Sequence, residues 1–256
     1  MIIYDFGANK GQNLKYYLSK KIKVVAIEAN PDLCNLILKK FKNDIKEKNL
    51  IILNNCLSET SDGEFVDFYV HKSRTVLSQF TKPTELTINE FKKIQVKSRK
   101  PSSIIKEFGE PYFIKIDLEH YDLNVLNEIV KNNVIAKYFS IEAHNKDILE
   151  TLINSNHYKY YNLVKGDNFK LLYNNFDSHS AGPFGKDLIT PWLDKTKITE
   201  LVNILGYGWI DIHATSEEIS KNNEINLNFY LNKETLIERI LRFLNSFISK
   251  NTGTRN

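Results

Sequence analysis

Apolar runs and amphipathic stretches alternate along the first 145 residues. Short, densely apolar segments predict strands at 2–6, 23–28, 50–54, 112–116 and 137–142. Between the first three, Leu14, Tyr17 and Leu18, then Leu33, Leu36, Ile37 and Phe41, recur at helical intervals, and Pro31-Asp32 supplies a helix start. Strand and helix taking turns in this way predict βαβ units and a mostly parallel α/β sheet.

The pattern changes after residue 58. Glu59-Thr60-Ser61-Asp62-Gly63 is turn chemistry, and Glu64 to Val70 alternates with period two, as a hairpin or edge strand does. Residues 71–100 are polar, rich in Lys and Thr, and weakly patterned, which predicts a mobile segment over a ligand or a plain surface loop. Further on, 157–164, a turn at 165–168 and 169–173 read as an antiparallel hairpin that closes a seven-stranded sheet.

These signals divide the chain into a core at 1–174 and an extension at 175–256. The extension opens with a Gly/Pro-interrupted loop containing His179 and continues into helices. Its last helix, from about Lys233 to Ser249, gathers Leu236, Ile240, Phe243, Leu244 and Phe247 on one face. That face suits packing on its own domain; a homodimer contact or an interfacial membrane helix are the alternatives.

Composition narrows the function classes. With 256 residues, 42% hydrophobic and 26% charged, the chain has material for a sizeable core, which excludes wholesale disorder. The net charge of +4 is carried by scattered Lys, with only 5 Arg among 35 basic residues, which argues against nucleic-acid binding. Cys34 and Cys56 form neither a metal cluster nor a disulfide framework, no apolar run is long enough to span a bilayer, and a first strand at residue 2 leaves no signal peptide. A cytoplasmic protein is expected.

The candidate chemistry lies in the first thirty residues, where a strand, a glycine turn, a helix and a second strand ending in Glu28 follow one another. A glycine turn lets backbone amides approach a ligand, and an acid at the next strand tip can hold the two hydroxyls of a ribose. The turn reads Asp5-x-Gly7-x-Asn9-x-Gly11, without the third glycine of a dinucleotide fingerprint. Its leading acid would repel a pyrophosphate but suits a cationic amino-acid group, which points to S-adenosylmethionine.

Residues 2–31 resemble the first two motifs of class I methyltransferases, and D-x-G-A-N-x-G followed by E-x-N-P is similar to the FkbM-type branch. Asn54 to Ser58 before Gly63-Glu64, and Phe113-Ile114-Lys115-Ile116-Asp117-Leu118-Glu119-His120-Tyr121-Asp122, are similar to that family's later motifs, over about residues 1–165 in all. His120 stands where the family usually has glycine.

The resemblance implies a Rossmann-like class I methyltransferase sheet carrying S-adenosylmethionine. Gly7, Asn9 and Gly11 would line its methionine and ribose portion, Asp5 would face its amino group, and Glu28 would take the ribose hydroxyls. Asn30 belongs to the same cofactor motif, and Cys56 and Leu57 would lie by the adenine. It further implies an O-methyltransferase acting on a small or glycan-linked hydroxyl, often a sugar in polysaccharide, lipopolysaccharide or natural-product biosynthesis.

Transfer to oxygen needs an aligned acceptor and a group that takes its proton. Candidates follow the fourth and fifth predicted strands: Asp117, then Glu119, which could instead cap the next helix, and the E-x-H pair Glu142 and His144, with His144 a general base or a merely structural histidine. The same four residues could hold a magnesium ion, although no spacing demands a metal. An NAD-dependent oxidoreductase and a non-catalytic cofactor-fold scaffold remain as alternative functions.

Overall fold

The computed structural model describes residues 1–166, 169, 172–173, 182–219 and 224–230. The apolar runs become Ile2–Phe6 (β1), Lys23–Ile27 (β2), Leu50–Leu53 (β3), Pro111–Ile116 (β7) and Tyr138–Glu142 (β8). Cys56–Leu57 (β4), Phe65–His71 (β5) and Phe91–Arg99 (β6) lie between, and Tyr160–Lys165 (β9) and Ile210–Thr215 (β10) follow. The helices are Leu14–Ser19 (α1), Pro31–Lys40 (α2), Lys42–Lys46 (α3), Pro101–Phe108 (α4), Asp122–Lys131 (α5), Lys146–Asn154 (α6) and Lys195–Leu205 (α7).

The main sheet has the order β3-β2-β1-β7-β8-β10-β9, with β10 antiparallel to both its neighbours. Strand order reverses between β1 and β7, and open α/β sheets bind ligands at the carboxyl edge of such a switch point. Period-two alternation sorts β1 between two cores. Tyr4 and Phe6 pack with Ile104, Val125 and Leu126 of α4 and α5, whereas Ile3 packs with Leu14, Tyr17 and Ile37 of α1 and α2.

The chain's polar residues also line up across this sheet. Asp5, Lys115, Ser140, His213 and Asn162, one from each of five adjacent strands, stand opposite one another in register, and all are buried. Burial pushes the His213 imidazole down to about 3, so it is neutral. Two residues further along come Asp117, Glu142 and Asp211 at the carboxyl edge, on the same face.

Three sequence expectations are corrected. The partner of β9 is β10, about fifty residues on, and not 169–173. Tyr173 donates its N–H to the carbonyl of Phe169 at 2.8 Å, a helical bond, and both rings are buried at this i,i+4 spacing. The segment 71–100 departs from expectation only at its end: Thr75, Val76, Ser78 and Phe80 line the carboxyl-edge cavity, but 91–99 is β6, which pairs with β5 along its length, with Ile94, Val96 and Ser98 inward and Lys93, Gln95 and Lys97 in solvent. The sheet also runs past the boundary expected at 174. Phe184 stacks on Phe113 at 4.1 Å and Tyr16 donates to Asp187, so residues after 174 complete the core. His179 and the helix expected at 233–249 lie outside the described residues.

Candidate active site

A cavity of about 410 Å³ opens at the carboxyl edge, spanning the ends of β1, β2, β4, β7, β8 and β10. Its floor is the turn after β1. Gly7 and Ala8 donate to the carbonyl of Ile27, both at 3.0 Å, which fastens the turn to the end of β2. Gly7 has φ +88°, and a Cβ there would fall on the carbonyl oxygen of Asp117. Only glycine fits where β1 and β7 part. Asn9, at φ +49°, is the side chain that tolerates this left-handed region best.

Glu28 sits at the tip of β2 with its carboxylate held from both sides. Asn9 N–H donates to Oε2 and Asn30 N–H to Oε1, each at 2.7 Å. Burial lifts this carboxyl to about 7 despite the two amides. Each oxygen keeps a further lone pair, and Glu28 lines the cavity. An acid at a strand tip beside a glycine turn, with cavity in front of it, fits the paired hydroxyls of a nucleoside. Cys56 and Leu57 form a wall beside it, and burial raises the Cys56 thiol to about 12, so it acts as an apolar surface.

Three residues expected at the cofactor do not line the cavity. Asn30 is buried, and its side chain accepts from Asp32 N–H at 3.0 Å to cap α2, so it supports Glu28 through its backbone. Gly11 faces Leu14, Ile37 and Phe41, where its missing side chain serves helix packing. Asp5 is 1% exposed and does not line the cavity, whereas Lys115, whose Nζ lies 3.5 Å from Asp5 Oδ1, does.

Across the switch point the cavity is acidic. Asp117, Glu119 and Glu142 each bring a carboxylate oxygen within 4.8 Å of the others. Lys115 Nζ is 3.1 Å from Asp117 Oδ2, and His144 Nε2 is 3.1 Å from Glu142 Oε2 and 3.8 Å from Asp122 Oδ2. Burial opposes the charge of Lys115, but Asp117 and Asp5 outweigh it and hold the ammonium above its ordinary range. The contact with Glu142 lifts His144 to about 9 against its partial burial. His144 is therefore an imidazolium at neutral pH, the wrong form for the general base expected of it.

Glu119 also holds its proton at neutral pH and ionises only towards pH 8. Burial, then the charges of Asp117, Glu142 and Asp122, raise it to about 8. Burial likewise lifts Asp122 to about 7, although its Oδ1 accepts from Leu118 N–H at 2.9 Å. The loop bearing Glu119 is strained, with Glu119 at φ +49° and His120 at φ +72°, and the His120 ring packs 4.8 Å from that of His144. The backbone at 120 thus has the conformation a glycine would supply.

Lys115, Asp122, Asp211 and Trp209 were missed by sequence reasoning. Lys115 carried a signal, as a cation inside the apolar run Phe113–Ile116. Asp211 is 2% exposed and reaches the site only through its register with Glu142.

Residues 5–162 match the methyltransferase FkbM domain, well over half of the chain. The chain matches no curated protein. Among solved structures, a precorrin-6Y C5,15-methyltransferase from Geobacter metallireducens covers 85% of this chain and 80% of its own at 9% identity, with a TM-score of 0.38. An S-adenosylmethionine-dependent methyltransferase from Aquifex aeolicus covers 64% and 76% at 17% identity and TM-score 0.32. An O-methyltransferase from Thermotoga maritima covers 86% and 61% at 10% identity and TM-score 0.35.

Proposed function

The chain belongs to the FkbM methyltransferase family, with its Rossmann-like class I sheet and S-adenosylmethionine as cofactor, and from that premise we propose that it methylates a hydroxyl oxygen of a small or glycan-linked acceptor. One observation carries this reading: Glu28, suited to a ribose, and the acid group Asp117, Glu119 and Glu142, suited to a hydroxyl, line one cavity on opposite sides of the switch point. The cofactor supplies a methyl group on a sulfonium, a carbon open to in-line displacement.

This chain's residues then align and deprotonate. Glu28 and the Gly7–Asn9 turn hold the nucleoside, and Cys56 and Leu57 flank its base. Glu119, in its ionised form, takes the hydroxyl proton, so turnover rises with pH up to about 8. Asp117, held by Lys115, orients the acceptor, and Glu142 does the same from its pairing with His144. Lys115 and His144 already balance two of the three carboxylates, so we propose transfer without a divalent cation; turnover sustained in EDTA is the expected result.

No helix of the described residues is long and apolar enough to cross a membrane, in keeping with the cytoplasmic setting we propose. Calorimetric titration with S-adenosylmethionine, S-adenosylhomocysteine and NAD tests the reading. Saturable binding of both adenosyl ligands but not NAD is expected. Binding of NAD alone would turn the assignment to an oxidoreductase, and cofactor binding without turnover across hydroxyl acceptors would favour the scaffold reading.

A further inference from the structure

β5 ends at His71, and β6 begins only at Phe91. Between them the chain first turns back over the carboxyl-edge cavity. Thr75–Leu77 is one 3₁₀ turn, and Thr75, Val76, Ser78 and Phe80 line the cavity. No residue from Lys72 to Lys82 is buried, so little apolar packing holds this turn and a few directed contacts decide where it sits. Tyr69 and Gln79 exchange backbone bonds at 2.9 Å each, and the Phe80 ring meets that of Tyr121 edge-on at 4.6 Å.

Further contacts converge on His71, which is buried. Its Nδ1 accepts from the N–H groups of Ser73 at 3.2 Å and Arg74 at 3.1 Å, and its own N–H donates to Ser78 Oγ at 3.1 Å. Two donors aimed at Nδ1 leave no place for a proton there, so Nε2 carries it and donates to Glu90 Oε2 at 3.1 Å. A buried imidazole needs partners for both nitrogens, and here both face the connection between β5 and β6. The Glu90 side chain is 56% exposed, so that contact adds little, and the two amides on Nδ1 are the ones that fix the start of the turn.

The turn lies on the nucleoside side of the cavity. Phe80 packs against the cluster of Cys56, Phe68 and Val96, and so does Ala29, the residue after Glu28. On the methyltransferase reading of this cavity, we propose that residues 73–80 are a strap over the bound nucleoside, and that His71 is the positioning residue that holds the strap shut through Nδ1. β5 belongs to the three-stranded sheet, so the strap can lift by releasing its bonds at 73, 74, 78 and 79 without disturbing the seven strands below. That opening admits and releases the cofactor, and the bonds to His71 set how tightly and how long it is held.

The test follows S-adenosylhomocysteine on the full chain: affinity by calorimetry, release rate by chase of the radiolabelled ligand, and amide hydrogen exchange across 72–80. His71→Asn sets a carbonyl oxygen where Nδ1 stands and keeps an acceptor for Ser73 and Arg74, whereas His71→Gln reaches Glu90 but leaves both amides unpaired. His71→Ala and His71→Gln should weaken the ligand about tenfold and speed its release, while His71→Asn stays within about twofold of the unaltered chain. Bound S-adenosylhomocysteine should slow exchange at 73–80, and His71→Ala should abolish that protection while leaving exchange in β1 and β7 unchanged. Should His71→Ala fail to fold, Phe80→Ala, which removes the contact with Tyr121, takes its place with the same loss of protection expected. The proposal is overturned if the ligand does not protect 73–80, if His71→Gln binds and releases it as the unaltered chain does, or if His71→Asn is as weak as His71→Gln. Failure of S-adenosylhomocysteine to bind the unaltered chain would instead remove the underlying methyltransferase reading.

Discussion

Lys115 stands directly opposite Asp5 on the neighbouring parallel strand, its ammonium 3.5 Å from Oδ1, and both side chains are buried. The same ammonium reaches 3.1 Å from Asp117 Oδ2, so a single cation joins a sheet-centre acid to a cavity acid. Removing it leaves two carboxylates facing each other in a poorly hydrated place. Lys115→Met should destabilise the protein by about 3–5 kcal/mol in chemical denaturation at pH 7. Adding Asp5→Asn should recover part of that loss, and a strictly additive double variant would dissolve the pair.

Glu28 links cofactor binding to a proton. Its carboxyl is raised to about 7 by burial, and ribose hydroxyls donate to the ionised form. Binding below pH 7 should therefore release a proton, seen as a binding enthalpy that varies with the ionisation heat of the buffer. Glu28→Gln should abolish that dependence and weaken S-adenosylhomocysteine at least tenfold. A buffer-independent enthalpy at pH 6 would separate Glu28 from the ribose.

His120 occupies a left-handed conformation at φ +72°, which costs an L-residue about 1–2 kcal/mol, less for the residue types that visit it most readily. His120→Gly should stabilise the fold by about 0.5–1 kcal/mol, because relief of strain exceeds the larger entropy of glycine in the unfolded chain. His120→Ala keeps the strain and loses the packing against His144, so it should not stabilise. Equal effects of the two substitutions in a denaturation series would count against backbone strain at this position.

Folding should weaken with rising pH. Glu119 at about 8, Asp122 and Glu28 at about 7, and His144 at about 9 all hold protons more tightly folded than unfolded. Their stabilisation is complete below the unfolded values and is lost as pH climbs through the folded ones, between roughly pH 4 and 9. His213 acts oppositely: its value near 3 removes stability as pH falls below the ordinary histidine range. The thermal midpoint of the ligand-free protein should decline from pH 6.5 to 9. Glu119→Gln should flatten that decline up to pH 8, and an unaltered slope would mean that Glu119 ionises as it does in the unfolded chain.

Local pattern determined much of this protein. The five runs that became β1, β2, β3, β7 and β8, the Gly7–Asn9 turn and the acid at the end of β2 were legible because strand periodicity, glycine freedom and strand-end position are properties of a few consecutive residues. β6 was not read, because Ile94, Val96 and Ser98 alternate with Lys93, Gln95 and Lys97 in a Lys-rich stretch whose inward face is only partly apolar. Tertiary structure alone decided which distant groups meet. Register across β1 and β7 set Lys115 against Asp5 and turned an expected cofactor contact into a buried ion pair. Insertion of β10 between β8 and β9 brought Trp209 to the cavity, and Asp211 opposite Glu142 behind it, from beyond the expected boundary at 174. Proton affinities at Glu119 and His144 likewise arise from burial and from neighbours on other strands and loops, and such fields have no counterpart in the order of residues along the chain.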